Sequence, residues 1–347
     1  MTSGNGSEAF SLSWIDRFNN WVERLRIRPW LFYVVLGIGL ILVQMLFLWL
    51  DSGSFANELL PVVVFNGLAV PYLLAMIRLL DKQALQALKG MRPMLNMSDE
   101  EFDAYKIRIA DMPFLAPLLA GLAMTVFAIL FPLVASEPER YTALGQLSVF
   151  TIVYHIIDKS SAFLFGVVIY HTIRQLRLVY AINSNHIRIN IFQLRPVQAF
   201  SRLTGATALG LVIFFYGWIL INPELLADPA ILGVSLLFTA LAVLVFVWPL
   251  WGVHRLMVTE KERALHEIEL QFEDVFAAFN LHLEENDYAG AQELNGTIMS
   301  LEIKHNKVSA VPTWPWRSET ARVVLTAVAL PILLMIVQFI VQQAIGR

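Results

Sequence analysis

The chain contains no cysteine. Disulfides, thiol nucleophiles, thiolate metal sites and cysteine-ligated iron–sulfur clusters are excluded by that one absence. Charge is scarce as well. Asp, Glu, Lys and Arg make up 15% of the residues, against roughly a quarter in an ordinary soluble domain. A phosphate-cradling glycine loop, an H-E-x-x-H helix and a serine-nucleophile motif are all missing. His186, His266, His282 and His305 follow no metal-ligand spacing. The sequence therefore leans away from an enzyme and implies no cofactor, no metal and no nucleic-acid partner. An internal inverted repeat, common among secondary transporters, is not evident either.

What the chain has in abundance is apolar length. Hydrophobic residues reach 57%, and they fall into runs of about 20 residues, enough to cross a roughly 30 Å hydrocarbon core. Seven such runs occupy 30–50, 58–79, 112–135, 147–173, 206–222, 230–253 and 321–344. Basic residues in the successive connections, with those at span ends counted outward, number 4, 0, 6, 1, 5, 0, 7 and 1. The alternation places 22 on one side and 2 on the other, leaving only Lys159 inside a span. Basic connections stay in the cytoplasm. The expectation is an all-α integral membrane protein of the plasma (inner) membrane, a seven-helix bundle with its N-terminus inside and its C-terminus outside. No cleavable signal is expected, since mostly polar residues precede a full-length first span.

The flanking segments carry their own patterns. Within 1–29, Trp14, Ile15, Phe18, Trp21, Val22 and Leu25 recur at helical spacing opposite Arg17, Glu23 and Arg24, an amphipathic helix suited to the inner membrane interface or to packing on the bundle. Ser98 and Glu101 form a capping-box pattern that opens a short helix, closed by Pro113. Ile187, Ile191, Leu194 and Phe200 alternate with Arg188, Arg195 and Arg202, which predicts contact with anionic headgroups. Residues 256–320 read as a cytoplasmic antiparallel, coiled-coil-like helical hairpin. Leu265, Ile268, Phe272, Val275 and Phe279 face Ala291, Leu294, Ile298 and Leu301, with a polar turn between. Phe276 and Leu283 widen the first stripe beyond what two helices bury, which calls for inner loops, a second subunit or a cytosolic protein. Trp314 and Trp316 then anchor the approach to 321–347, the last span and a short outer tail.

The fourth span holds the chemistry. On a helical wheel Thr151, Tyr154, His155, Asp158, Lys159 and Ser161 share one wall with Ser148, Ala162 and Gly166, while Val149, Val153, Ile156, Phe163, Leu164 and Val167 form the other. An acid or a base at a span centre costs about 2.5–3.5 kcal/mol to insert. Such residues mark polar paths by default. Asp158 and Lys159 point about 100° apart on the wheel, so each is free to seek a partner on another helix. Asn66, beside Gly67 and ahead of Pro71 in the second span, is a further lining group. Two functions follow from the pattern. One is a channel or transporter for a small ion or proton, with the fourth span lining its path. The other is a membrane sensor or scaffold whose cytoplasmic hairpin binds a partner.

Overall fold

The computed structural model describes residues 13–53, 58–131, 147–186, 197–221, 229–316 and 318–345. Among them the regular structure is helical throughout. The helices are α1 (Trp14–Arg24), α2 (Pro29–Ser52), α3 (Leu60–Met91), α4 (Asp99–Ala110), α5 (Leu115–Leu130), α6 (Val149–His186), α7 (Val197–Ile221), α8 (Pro229–Glu284), α9 (Tyr288–Ser309) and α10 (Ser318–Ile345), with a 3-10 turn at Arg92–Met94. Among the described residues, six stretches are long and apolar enough to cross a membrane: Pro29–Ser52, Leu60–Met94, Asp99–Leu130, Val149–Ile182, Phe200–Ile221 and Gly233–Glu284. The chain is a membrane-embedded helical bundle.

Its exterior shows the same solvent. Val34, Val35, Ile38, Leu42 and Leu46 on α2, and Leu119, Leu122, Val126 and Phe127 on α5, all point outward. A surface that apolar is stable only against hydrocarbon. Exposed Trp30 and Trp49 bracket α2 and lie 19 positions apart, about 29 Å along a helix. That matches an aromatic belt at each face of a bilayer core.

The centre of the bundle is α3. Its residues Leu73, Ile77, Leu80, Ala84 and Leu88 step by three and four and are all 0% exposed. Helices α2, α6 and α7 surround it. Close approach depends on glycine at two seams. A side chain at Gly67 would meet Ile41 of α2, and one at Gly166 would meet the Ala120 carbonyl oxygen and Met124 of α5. Small residues at such seams let membrane helices gain dispersion contacts that lipid cannot provide.

One end of the bundle is closed by α1. Ile15 and Val22 are fully buried, so α1 docks against protein with its apolar face. Ser13 caps it by accepting from the Asp16 amide at 3.2 Å. Glu23 accepts from Arg78 at 3.0 Å, and the Tyr33 hydroxyl donates to Asn19 at 3.2 Å. The Ser98 capping box of α4 is present in both directions. Phe200, expected at the interface, is instead 1% exposed inside the main core. Helix α7 begins at Val197 and carries that ring into the bundle. Residues 187–196, with Arg188 and Arg195 of the three arginines expected to meet headgroups, lie outside the described residues, while Arg202 is exposed on α7.

Helix α8 runs for 56 residues, about 84 Å, nearly three times a hydrocarbon core. Val253 and Met257 on α8 pack with Met94 from the turn after α3, so the remaining length projects from the end that α1 closes. Contacting positions on α9 fall as those on α8 rise: Lys261 reaches Ser309, Ile268 packs with Leu301, and His282 meets Asp287. The two arms are therefore antiparallel. Trp314 stacks on His254 at 3.8 Å and on Trp316 at 4.2 Å, pinning the approach to α10 against α8.

Candidate functional site

The polar residues of α6 separate into three environments. Thr151 and Tyr154 are buried and face inward. Thr151 exchanges hydrogen bonds with Ser148: the Ser148 amide donates to its hydroxyl at 2.9 Å, and its own amide donates to the Ser148 hydroxyl at 3.1 Å. Asp51, at the end of α2, accepts from the Phe150 amide at 2.7 Å. Together these bonds satisfy the free N–H groups that open a helix. The Tyr154 carbonyl accepts from Asn66 Nδ2 at 3.2 Å, and Asn66 Nδ2 also donates to Gln44 Oε1 at 3.0 Å. Gln44 in turn donates to the Leu40 carbonyl at 3.0 Å. Gln44 and Asn66 are almost fully buried. This amide chain ties α2, α3 and α6 together with its donors and acceptors matched to one another.

Asp158 and Lys159 turn the other way, toward α5. Their side chains form an ion pair at 2.8 Å, each about one-third exposed. Lys159 Nζ also donates to the Ala128 carbonyl at 3.3 Å. The expected separation of the two side chains does not occur. The lysine arm is long enough to swing back along the helix, and apolar surroundings reward neutralising the acid next door. Ser161 is buried and donates to the Asp158 carbonyl at 2.7 Å. His155 is exposed, its ring edge-on to Tyr154 at 5.3 Å. The wheel's apolar wall is divided too: Val149 and Ile156 are exposed, but Leu164 and Val167 are buried. Helix α6 packs chiefly on α2, α3, α5 and α8 and also touches α4 and α7, so no single face of it belongs to lipid. Beside Lys159 an open groove of about 490 Å³ is bounded by Trp14, Phe18, Leu122, Ile156 and Phe163.

A second cluster, which the helical wheel of span four alone does not reveal, lies where α1 closes the bundle. His171 is 0% exposed, with Nε2 at 2.8 Å from Asp81 Oδ1. The approach is an ion-pair distance without hydrogen-bond alignment, and neither ring nitrogen has an aligned partner among the described residues. Gln175 Nε2 donates to Asp81 at 3.1 Å and to the Ile109 carbonyl at 3.1 Å. Asp16 is buried and accepts from the Met112 amide at 2.8 Å and the Ser13 hydroxyl at 2.7 Å. Asp111 and Arg174 complete the electrostatic set with Asp16 and Asp81. The signal was phase: Asp81 follows Ile77 by four and His171 follows Val167 by four, so both stand in line with buried stripes.

The hairpin carries the third feature. An open groove of about 770 Å³ runs along α8 and α9, with Ile268, Phe272 and Phe276 on its apolar floor and Glu269, Glu273 and Glu302 on its rim. Phe276 is 45% exposed although it stacks on Phe272 at 5.9 Å. Ile268, Leu301 and Val308 form the small core that joins the two arms. Two helices have no third surface to cover Phe276, Leu281 and Leu283, which remain exposed.

No family model, no curated protein and no solved structure matches this chain. Among the described residues no cluster of His, Cys, Asp or Glu could hold a metal ion.

Proposed function

We propose that the chain is a seven-span membrane scaffold or sensor, its N-terminus and hairpin cytoplasmic, whose hairpin docks another protein. The observation that carries this reading is the hairpin groove, an exposed apolar floor on the part of α8 that extends past its packing against Met94. Helix α8 supports it mechanically, because one continuous helix links a membrane span to the docking surface. The polar wall of α6 supports it indirectly, since the Tyr154 carbonyl is engaged by Asn66 of α3, and Thr151 and Ser161 are engaged by local bonds of α6 itself.

Photo-crosslinking tests the reading. A photoreactive amino acid at Phe276, in native membranes, is expected to give a discrete adduct with another protein. The same group at Ala291, which is buried against α8, serves as the control. Adducts with lipid alone at Phe276 would sink the docking role, and an adduct at twice the chain's mass would identify self-assembly.

The channel or transporter reading keeps one observation of its own. The Asp158–Lys159 ion pair and the Asp81–His171 contact both involve α6, with Lys159 and His171 12 positions or about 18 Å apart along the helix. Proteoliposome flux that vanishes in Asp158→Asn and Lys159→Met while the fold persists supports it. No flux across a broad ion panel removes it.

A further inference from the structure

The charge around the hairpin groove is one-sided, and that selects its occupant. Between residues 264 and 303 the sequence holds nine Asp or Glu residues and no Lys or Arg. The Lys and Arg residues of the two arms between 256 and 309, Lys261, Arg263, Lys304 and Lys307, all sit at the bundle-proximal end. Glu269, Phe272, Glu273 and Phe276 follow one another at helical spacing along one face of α8. From Glu269 to Asn280 the lined face covers 11 steps, about 16 Å or three turns. Helix-in-groove recognition uses anchors over such a length, at i, i+3 or i+4 and i+7.

We infer that the groove takes a basic amphipathic helix from a cytosolic protein: apolar side chains on the Phe272–Phe276 floor, Lys or Arg against Glu269, Glu273 and Glu302. The inference rests on the docking role proposed above and adds the chemistry of the partner. Other occupants meet repulsion. A second copy laid groove to groove would set carboxylate against carboxylate, and anionic headgroups or nucleic acid would face the same acidic rim. A basic helix meets complementary charge at both edges, which speeds association and fixes register.

The test uses the full chain in phosphatidylcholine nanodiscs, with empty nanodiscs as the baseline. Two labelled peptides share one Leu face; one carries Lys on its polar face and the other Glu. Fluorescence anisotropy is expected to show binding of the Leu/Lys peptide, weakened by salt and lost in Phe276→Ser. Replacing Glu269, Glu273 and Glu302 with Gln should weaken it on the order of tenfold, from three partly exposed charge pairs. Replacing the same three with Lys should invert the preference toward the Leu/Glu peptide, a gain that misfolding does not produce. Equal binding of both peptides, still dependent on Phe276, overturns the inference about charge but keeps the docking role. Binding of neither peptide, or binding indifferent to Phe276, overturns both.

Discussion

The amide chain Gln44–Asn66–Tyr154 gives the sharpest way to separate a structural role for the α6 wall from a working one. Asn66→Leu keeps the side-chain size but removes a donor held 3.0 Å from Gln44 Oε1 and 3.2 Å from the Tyr154 carbonyl. Interhelical hydrogen bonds in membranes average about 0.6 kcal/mol and reach about 1.7. Leaving a buried acceptor unpaired costs about 1–3 kcal/mol. The second term dominates because Gln44 is 0% exposed, so Asn66→Leu is expected to destabilise by about 1–3 kcal/mol. Gln44→Met should cost less, because Asn66 Nδ2 keeps the Tyr154 carbonyl. The double variant should return to within about 1 kcal/mol of the parent, since apolar groups of matching shape replace both partners. Unfolding in mixed micelles, followed by the fluorescence of the 9 tryptophans, measures all three. Single variants without effect, or a double variant whose loss equals the sum of the two, would refute a dry, coupled network and leave a hydrated wall.

The remaining predictions concern seams, charges and the hairpin. Gly166→Val should lose about 1–3 kcal/mol as its side chain meets the Ala120 carbonyl, whereas Gly39→Ala, facing open space, should be neutral in the same unfolding assay. Lys159→Met strands Asp158; the loss should fall below the roughly 3–5 kcal/mol of a fully buried pair, because each side chain is one-third exposed, and adding Asp158→Asn should recover most of it. Burial alone would raise the Glu23 carboxyl, but the hydrogen bond and charge of Arg78, with Lys82, outweigh it and hold the group below its usual value. Its contribution to α1 docking is therefore present above the ordinary carboxylate range and lost as pH falls through the depressed value, a change that Trp21 emission should report. At the hairpin turn, the Gly290 amide, then His282, holds Asp287 below its usual value, so protection of the Gly290 amide should fade in the same direction. Ile268→Ala, at 1% exposure, should cost about 2–4 kcal/mol and raise hydrogen exchange in both hairpin arms while sparing α3.

How far the sequence reaches depends on the range of the interaction concerned. Apolar runs of membrane length, the Ser98 capping box and the two facing stripes of the hairpin are local patterns, set by helical period and by the solvent each stretch requires. They determine an all-helical, membrane-embedded chain with a helical hairpin. The orientation of α6 is not local. A wheel drawn from residues 147–173 assumes one protein side and one lipid side, but α6 touches six other helices, so its polar wall was divided among inward amides, an α5-facing ion pair and an exposed His155. The Asp81–His171 pair is of the same kind. Its members lie 90 positions apart, and each is an isolated ionisable residue until α3 and α6 bring them within 2.8 Å. Composition and period determined that this chain lives in a bilayer and which stretches must be helices, because those follow from transfer energies and hydrogen-bond geometry along the chain itself. Only the tertiary structure decided which polar groups meet, because burial, reach and pairing depend on neighbours that sequence distance does not reveal.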